Sequence, residues 1–574
     1  MNSLNKMIYT LTILLIFTSM PRVYIHCKKY LFYDVFYGEG FNLRRDVYIR
    51  VANTLRLLRH PNQIPEYALN NMNIKNLTGD DWILVLPPWG PLPHWFNDRL
   101  YDKYPNYNAF NWSAVPWSRF FDLKSLSMFI PVMDLIEFQQ NIINSTTLNK
   151  LSNPSSLEID LALQLVRETY DTIKHHSNNE RKVDYCPNEI RELYSSDNSL
   201  LNQPMELFEG SNFSPTAVTG LLPMTATAYD CITGELEPVH LAPFLLQLIE
   251  NSKKPITTLY LGSAQSIIHG HWSEWSQEYW TARRSMIFAR HLRDIGDNYR
   301  AAYLQSYDTM DRTVSPLMIE QLGSGSEWLH SAWPLSPALG GPYIAVHWRR
   351  GDFISNPGGG GGDADSDKTM TTTAATMTAT KSLDNFETAQ QILNALRIFN
   401  QYEEHHIYNI FLSTDSTKEE LDNLKRLLYP YQVYTYEPNE LEWMLYGPGG
   451  VAIIDQWICA HARYFIGTSL STFTFRIVEE RTIMGFSANT TLNSLCSNGI
   501  LQLYRSNQAM NEQLSSTSSS TAASSSTSSS SNCEGLTEWP VIYEKQYTVS
   551  STQSTASIGD EMHLDNKRRI KEEL

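Results

Sequence analysis

The most informative chemical group in this 574-residue chain is an arginine at the end of an apolar run. Residues 343–348 read as a buried strand and are followed at once by Arg349 and Arg350. Ligands of open α/β sheets collect at the carboxyl ends of strands, and a guanidinium fork meets phosphate oxygens with two parallel hydrogen bonds. Side chains alternate along a strand, so Ile344, Val346 and Trp348 face one way while Ala345, His347 and Arg349 face the other. His347 and Arg349 therefore share a site. A second anion signal is the small-residue turn Gly467-Thr468-Ser469-Leu470-Ser471-Thr472, which opens a helix over 473–480. The free N–H groups and positive dipole end of a helix start favour a phosphate, although Ser or Thr in that place also serves as an ordinary N-cap. Glu39, between Gly38 and Gly40 in the first strand-to-helix turn, is a carboxylate that a substrate can approach closely enough for general-base work. Plain solvation is the alternative for any loop carboxylate.

The elements that must position these groups alternate twice. A strand over 30–37, a glycine-bearing loop and a helix over 43–58 are followed by a short buried strand at 82–86, closed by Pro87 and Pro88. Residues 141–255 are interrupted by Ser, Asn and Pro and read mainly as loops. Helical pattern returns at 282–293 and near 299–304. A second unit runs from the strand 343–348 through a strand at 407–413, a helix at 419–428, a strand at 433–436, a helix at 452–461 and a strand at 464–466. Such alternation predicts an α/β chain with two nucleotide-fold-like halves. Residues 356–380, rich in Gly and Thr, and 515–531, nearly all Ser, cannot bury a core and read as disordered insertions.

A net charge of -16 and a sequence pI near 5.4 speak against nucleic-acid binding. Residues 7–20 are uncharged and mostly apolar, which predicts a signal peptide over 1–25 and no membrane span after its removal. Sequons at Asn76, Asn111, Asn144, Asn212 and Asn489 agree with a lumenal route. The last residues, Lys571-Glu572-Glu573-Leu574, are a near match to a retrieval signal, so the expected location is the lumen of the endoplasmic reticulum, with cycling through the Golgi. Of the six cysteines, Cys186 with Cys231 and Cys496 with Cys533 are the natural disulfide pairs, and Cys459, inside an apolar helical run, reads as a buried thiol. Asp363-Ala364-Asp365-Ser366-Asp367, His269-Gly270-His271 and His405-His406 imitate metal clusters but lack completing ligands, so no metal site is expected.

Four longer runs add a resemblance. Tyr30-Leu31-Phe32-Tyr33-Asp34-Val35, the stretch from Glu39 to Arg50, Trp82-Ile83-Leu84-Val85-Leu86-Pro87-Pro88-Trp89-Gly90, and Ile454-Asp455-Gln456-Trp457-Ile458-Cys459 through Gly467 to Arg476 resemble, in order, the type 2 branch of the GDP-fucose protein O-fucosyltransferase family. The resemblance implies a GT-B glycosyltransferase fold with two facing Rossmann-like domains. These would be an N-terminal domain at 26–300 carrying the base and acceptor side, and a GDP-fucose-binding domain at 301–512 with an insertion at 356–380. A Ser-rich insertion at 513–532 and a C-terminal segment at 533–574 would follow. It also implies inverting transfer of fucose from GDP-fucose to Ser or Thr of folded thrombospondin type 1 repeats, with no metal or other cofactor. Carried onto matching positions, the base is Glu39 and the diphosphate-binding arginine is Arg349. The donor contacts are Gly40, Phe41, Asn42, His347, Trp348, Asp455, Ser471, Thr472 and Phe473. Gly38 stands where the family commonly has Pro, and Trp348 where Leu is usual. Two rivals share parts of the pattern: a fucosyltransferase of epidermal-growth-factor-like repeats, and a non-catalytic folding factor for disulfide-bonded repeats.

Overall fold

The computed structural model of the protein describes residues 28–35, 39–69, 79, 81–90, 92, 95, 114–144, 157–166, 191–192, 208–209, 224–234, 236–252, 254–268, 277–313, 338–351, 384–468, 471–487 and 490–495. In the N-terminal half, β1 (Lys29–Tyr33) leads through Gly40 into α1 (Phe41–Arg59), and β2 (Trp82–Leu86), α2 (Leu123–Phe129), β3 (Val132–Asp134) and α3 (Leu135–Asn144) follow. Next come β4 (Leu157–Ile159), β5 (Leu161–Val166), β6 (Arg191–Glu192), β7 (Phe208–Glu209), β8 (Met224–Ala226), β9 (Ala228–Thr233), α4 (Pro238–Asn251), β10 (Thr258–Gly262) and α5 (Gln277–Ser285). Among the described residues one sheet has the order β3-β2-β1-β10-β5-β9-β6, parallel throughout, with β7 antiparallel on β9; β4 pairs with β8 separately.

In the second half α6 (Arg290–Tyr303) and the single turn α7 (Asp308–Asp311) precede β11 (Gly341–Trp348), α8 (Asn385–Phe399), β12 (Asn409–Thr414), α9 (Lys418–Leu427), β13 (Gln432–Tyr434), α10 (Glu440–Ala460), β14 (Ala462–Thr468), α11 (Thr472–Ile483) and β15 (Thr491–Leu495). Their sheet, again parallel, has the order β13-β12-β11-β14-β15. That order reverses direction at β11, as the first sheet's does at β1, and both halves are Rossmann-like. The expected α/β fold with two such halves is therefore present. Local chemistry sets the helix starts: α8, α9 and α10 each open on a reciprocal capping box, Asp384 with Glu387, Thr417 with Glu420 and Asn439 with Glu442.

Strand alternation sorts the apolar side chains into cores. Leu31, Tyr33, Leu84 and Leu259 on one face of the first sheet share a core with Tyr343, Ala345, Phe411 and Phe465 of the second. Phe32, Val85, Ala162 and Tyr260 form a core on the outer face of the first sheet, and Ile344, Val346, Trp348, Ile410 and Ile466 form one on the outer face of the second.

The described residues of 141–255 are mostly strand and helix, not loop. β5 and β9 are interior strands of the first sheet and α4 packs beside α1. A strand covered on both faces reads as a plain apolar run, here Leu-Ala-Leu-Gln-Leu-Val, without the alternation that marks a strand to the eye. The helix expected over 282–293 breaks at residues 286–289. There the chain leaves the helix so that Ile287 O accepts from Asp122 N at 2.9 Å and Phe288 packs on Phe121 at 5.9 Å. Residue 300, the expected passage between halves, lies within α6, whose Gly296 sits so close to Trp457 of α10 that a Cβ would stand 2.7 Å from its ring. Cys459 is the buried free thiol that was expected. Cys231 is disulfide-bonded, while Cys186, Cys496 and Cys533 lie outside the described residues. So do Asn76, Asn111, Asn212 and Asn489, residues 1–25 of the expected signal segment, and the last residues; Asn144 ends α3. Among the described residues no helix is long and apolar enough to cross a membrane.

Between the halves lies a buried ion network. Arg283 of α5 meets Glu479 at 2.5 Å and Glu480 at 2.6 Å, both on α11. Arg476, also on α11, meets Glu479 at 3.0 Å and Asp46 of α1 at 3.6 Å, and Asp46 is in turn bonded to Arg50. Tyr279 OH donates to Glu479 at 2.7 Å. Burial alone would raise the Glu479 carboxyl, but Arg476 and Arg283 hold it below the usual range. Removing one partner strands charge in a dry place, so Glu479→Ala is expected to cost about 3–5 kcal/mol in denaturant unfolding. A loss under about 1 kcal/mol would show that the network does not join the halves.

Candidate active site

The carboxyl ends of β11 and β14 lie side by side at the reversal of the second sheet, where such folds bind ligands. Thr468, last on β14, ties the two ends: its Oγ1 donates to His347 O at 2.8 Å and accepts from Arg349 N at 3.0 Å. The chain then enters α11 at Thr472, with Ser471 as a buried N-cap whose side chain makes no cap bond to the helix. Phe473 on the first turn stacks on the His347 ring at 4.4 Å, and Thr474 Oγ1 lies 2.8 Å from His347 Nδ1. Burial, then the charge of Arg349, push the His347 imidazole down to about 3, so at neutral pH it is an uncharged hydrogen-bonding ring. Gly467 is required here, because a Cβ would stand 2.1 Å from Thr474 Cγ2.

Arg349 and His347 share the face that alternation assigned to them. The Arg349 guanidinium is about a quarter exposed and bonds Asp415 at 2.6 Å; Asp415 also accepts from Arg350 N at 2.6 Å. Arg350 turns the other way, onto Glu420 at 2.6 Å and over the Trp348 ring at 5.0 Å. The Trp348 side chain is not brought to the site, because it belongs to the outer core with Ile344 and Val346. Its carbonyl accepts from Thr414 Oγ1 at 2.7 Å.

Asp455 projects from α10 toward β12, where Ser413 Oγ donates to its Oδ2 at 2.8 Å. Its Oδ1 is buried and has no hydrogen-bond partner among the described residues. Burial pushes this carboxyl up to about 7 against the Ser413 hydrogen bond. A carboxylate at the carboxyl edge of the sheet, with one oxygen buried and unpartnered among the described residues, can receive ring N–H donors.

The start of α1 meets this region through amides. Asn42 Oδ1 accepts from Gln456 Nε2 at 3.0 Å, and Arg45 Nη1 donates to Gln456 Oε1 at 2.8 Å. Gln456 follows Asp455 directly, so the turn carrying Glu39 and Gly40 is held beside α10. Glu39 O accepts from Arg44 Nε at 3.0 Å, and Gly40 is the extended N-cap of α1. The Phe41 ring is buried against Trp89, Trp95 and Phe120, so only its backbone borders the turn. Gly38 lies outside the described residues.

Asp415, Ser413, Gln456 and Thr474 were missed in the sequence. The first two follow the rule that identified Arg349, since Ser413-Thr414-Asp415 ends a strand adjacent to β11. One cluster of metal-ligand composition, Asp297, Asp308 and His461, occurs among the described residues. Arg300 Nη2 lies 2.6 Å from Asp297 and 2.7 Å from Asp308, so a guanidinium already balances those carboxylates.

The sequence profile of the GDP-fucose protein O-fucosyltransferase family matches residues 30–484. The human protein named GDP-fucose protein O-fucosyltransferase 2 is 35% identical over 469 residues, covering 82% of this chain and 86% of its own. The Caenorhabditis elegans protein of that name is 32% identical over 472 residues, covering 82% and 87%. Among solved structures, POFUT1 in complex with GDP-fucose aligns over 83% of this chain and 99% of its own, at 12% identity and a TM-score of 0.44.

Two outcomes are expected. Gly467→Ala drives Thr474 away from His347 and should cost about 1–3 kcal/mol in stability, together with roughly tenfold in nucleotide affinity by calorimetry; unchanged affinity would detach this contact from the site. His347 and His461, pushed down to about 3 and about 4, bind protons more weakly folded than unfolded. Their stabilising contribution is complete above the ordinary value near 6.5 and is lost as pH falls below it, by at most about 1.4 kcal/mol per pH unit for each. His347→Asn should flatten the stability slope between about pH 6.5 and 4.5, and an unaltered slope would mean that the ring is protonated in the fold.

Proposed function

Because the chain belongs to the GDP-fucose protein O-fucosyltransferase family, we propose that it transfers fucose, with inversion, from GDP-fucose to Ser or Thr hydroxyls of folded thrombospondin type 1 repeats. That the chain is a fucosyltransferase follows from its family; the acceptor and the residue roles are the proposal. The observation that carries it is the pair of hydrogen bonds by which the Gln456 amide donates to Asn42 and accepts from Arg45, setting the turn of Glu39 against the half bearing Arg349, Asp455 and Ser471.

An acceptor hydroxyl attacks well only if its proton has somewhere to go, and the Glu39 carboxylate takes it. Attack comes at the sugar carbon opposite the nucleotide; the new C–O bond forms as the bond to the β-phosphate oxygen breaks, and GDP leaves with that electron pair. Negative charge then grows on the β-phosphate. Arg349 and the N–H groups at the start of α11 answer it, and both are fixed before reaction, Arg349 by Asp415 and α11 by the His347–Thr474 contact. The chemistry calls for no metal ion, because these groups supply the positive charge. His347, Phe473 and Thr472 pack along the diphosphate, and Asp455 accepts from the guanine edge. The signal segment, sequons and terminal Lys571–Leu574 support action in the lumen of the endoplasmic reticulum.

The test is transfer of labelled fucose to a folded thrombospondin repeat, an epidermal-growth-factor-like repeat and a reduced thrombospondin repeat, with chelator present. Transfer to the folded thrombospondin repeat alone is expected. Glu39→Gln should lower kcat about 10²–10⁴-fold with donor binding kept, and Arg349→Ala about 10²–10³-fold. Transfer to the growth-factor repeat instead would reassign the acceptor. Repeat binding with no transfer would indicate a folding factor.

A further inference from the structure

We infer that Ser413 is the positioning residue of the nucleobase site: its hydroxyl fixes the Asp455 carboxylate in one orientation and favours its charged form, and guanine binding depends on both. The inference rests on the proposed role of Asp455.

Asp455 is held in an unusual way for a buried carboxylate. The Ser413 hydrogen bond, 2.8 Å to Oδ2, is its one hydrogen bond among the described residues. Oδ1 is buried and unpartnered, which a fold tolerates only at a cost, so it is poised for a donor brought by a ligand. Ser413 itself is 3% exposed, at the carboxyl end of β12 beside β11, so its hydroxyl has little freedom to turn elsewhere. With Oδ2 pinned, the carboxylate presents Oδ1 in a set direction. Guanine offers two adjacent donors, the ring N–H and the exocyclic amino group, whereas adenine offers a ring acceptor at the corresponding place and would be repelled.

The charge of Asp455 depends on the same contact. The titratable groups that face Asp455 are Tyr299 from α6 and Cys459 one turn along α10. Burial pushes both up, so they are uncharged near neutrality and neither offers a cation. Ser413 is thus the group that opposes desolvation at Asp455. Near neutrality the empty site is divided between charged and protonated forms, and guanine, a donor on this edge, binds the charged form. Binding must therefore expel protons, and affinity must fall as pH drops through about 7.

The experiment is calorimetric titration with GDP-fucose in the absence of acceptor, in two buffers of different ionisation enthalpy, across about pH 6 to 8.5. GDP-fucose suits it because its diphosphate is a diester with no proton to exchange in that range, and the guanine ring N–H is largely retained there. The wild type should release a fraction of a proton per nucleotide near pH 7, and less as pH rises. Ser413→Ala should bind about five- to tenfold more weakly there, release more protons than the wild type, and recover part of the lost affinity at about pH 8.5, the remainder being the cost of lost orientation. Recovery in alkali distinguishes lost charge from damaged packing. Asp455→Asn should bind weakly at every pH and release no proton. Ser413→Ala matching the wild type while Asp455→Asn fails would overturn the role of Ser413 and leave the nucleotide site standing. So would a Ser413→Ala defect that alkali does not lessen. Asp455→Asn binding like the wild type would instead overturn the reading of Asp455 as the base-recognising group.

Discussion

The buried arginine–carboxylate network between the halves is the interaction on which the rest of the structure depends. Arg283, Arg476 and Glu479 are each at most 1% exposed, so every charge there has lost its water and needs its partner in place. The partners come from α5, α1 and α11, two from the first half and one from the second. Their geometry therefore fixes how the halves meet. Arg45 shows the same constraint in a softer form: a fully buried guanidinium between the rings of Phe121 and Phe288, hydrogen-bonded to the amide of Gln456. Burial first, then Arg283 and Arg476, lower its hold on its proton, and the aromatic faces and the amide offset part of that cost.

This junction is also where the chemistry is assembled. α1 carries Asp46 and Arg45 into the network a few residues after Glu39. α11 carries Arg476 and Glu479 about one and two turns after the residues that stack and cap beside His347. A helix is stiff over such a distance, so the same contacts that join the halves set the proposed base relative to the proposed phosphate site. Outside the network the cations at the second sheet's edge are matched one for one: Arg349 with Asp415 and Arg350 with Glu420. Those partly exposed pairs orient side chains more than they stabilise the fold.

Much of the local structure was legible because it rests on short-range physics. Trp82–Leu86 is the strand expected at 82–86, and the face shared by His347 and Arg349 follows from a period of two. Trp348 shows the limit of carrying a role along a motif: the same period turns its ring into the outer core. β5 and β9 were hidden because interior parallel strands lack polar punctuation. Ser413 and Asp415 were hidden for another reason, since their importance comes from Asp455 and Arg349, which lie 42 and 66 residues away in the chain.

What the sequence by itself determined is therefore the α/β character, the two strand-and-helix series, the anion-binding look of 467–473 and the family to which the chain belongs. Each is encoded in runs of neighbouring residues. Only the tertiary structure decided which charges meet across the junction, which oxygen of Asp455 is left without a partner among the described residues, and that Arg300 pairs with both Asp297 and Asp308. Those outcomes depend on burial and on contacts between distant segments, and both arise only when the chain has closed on itself.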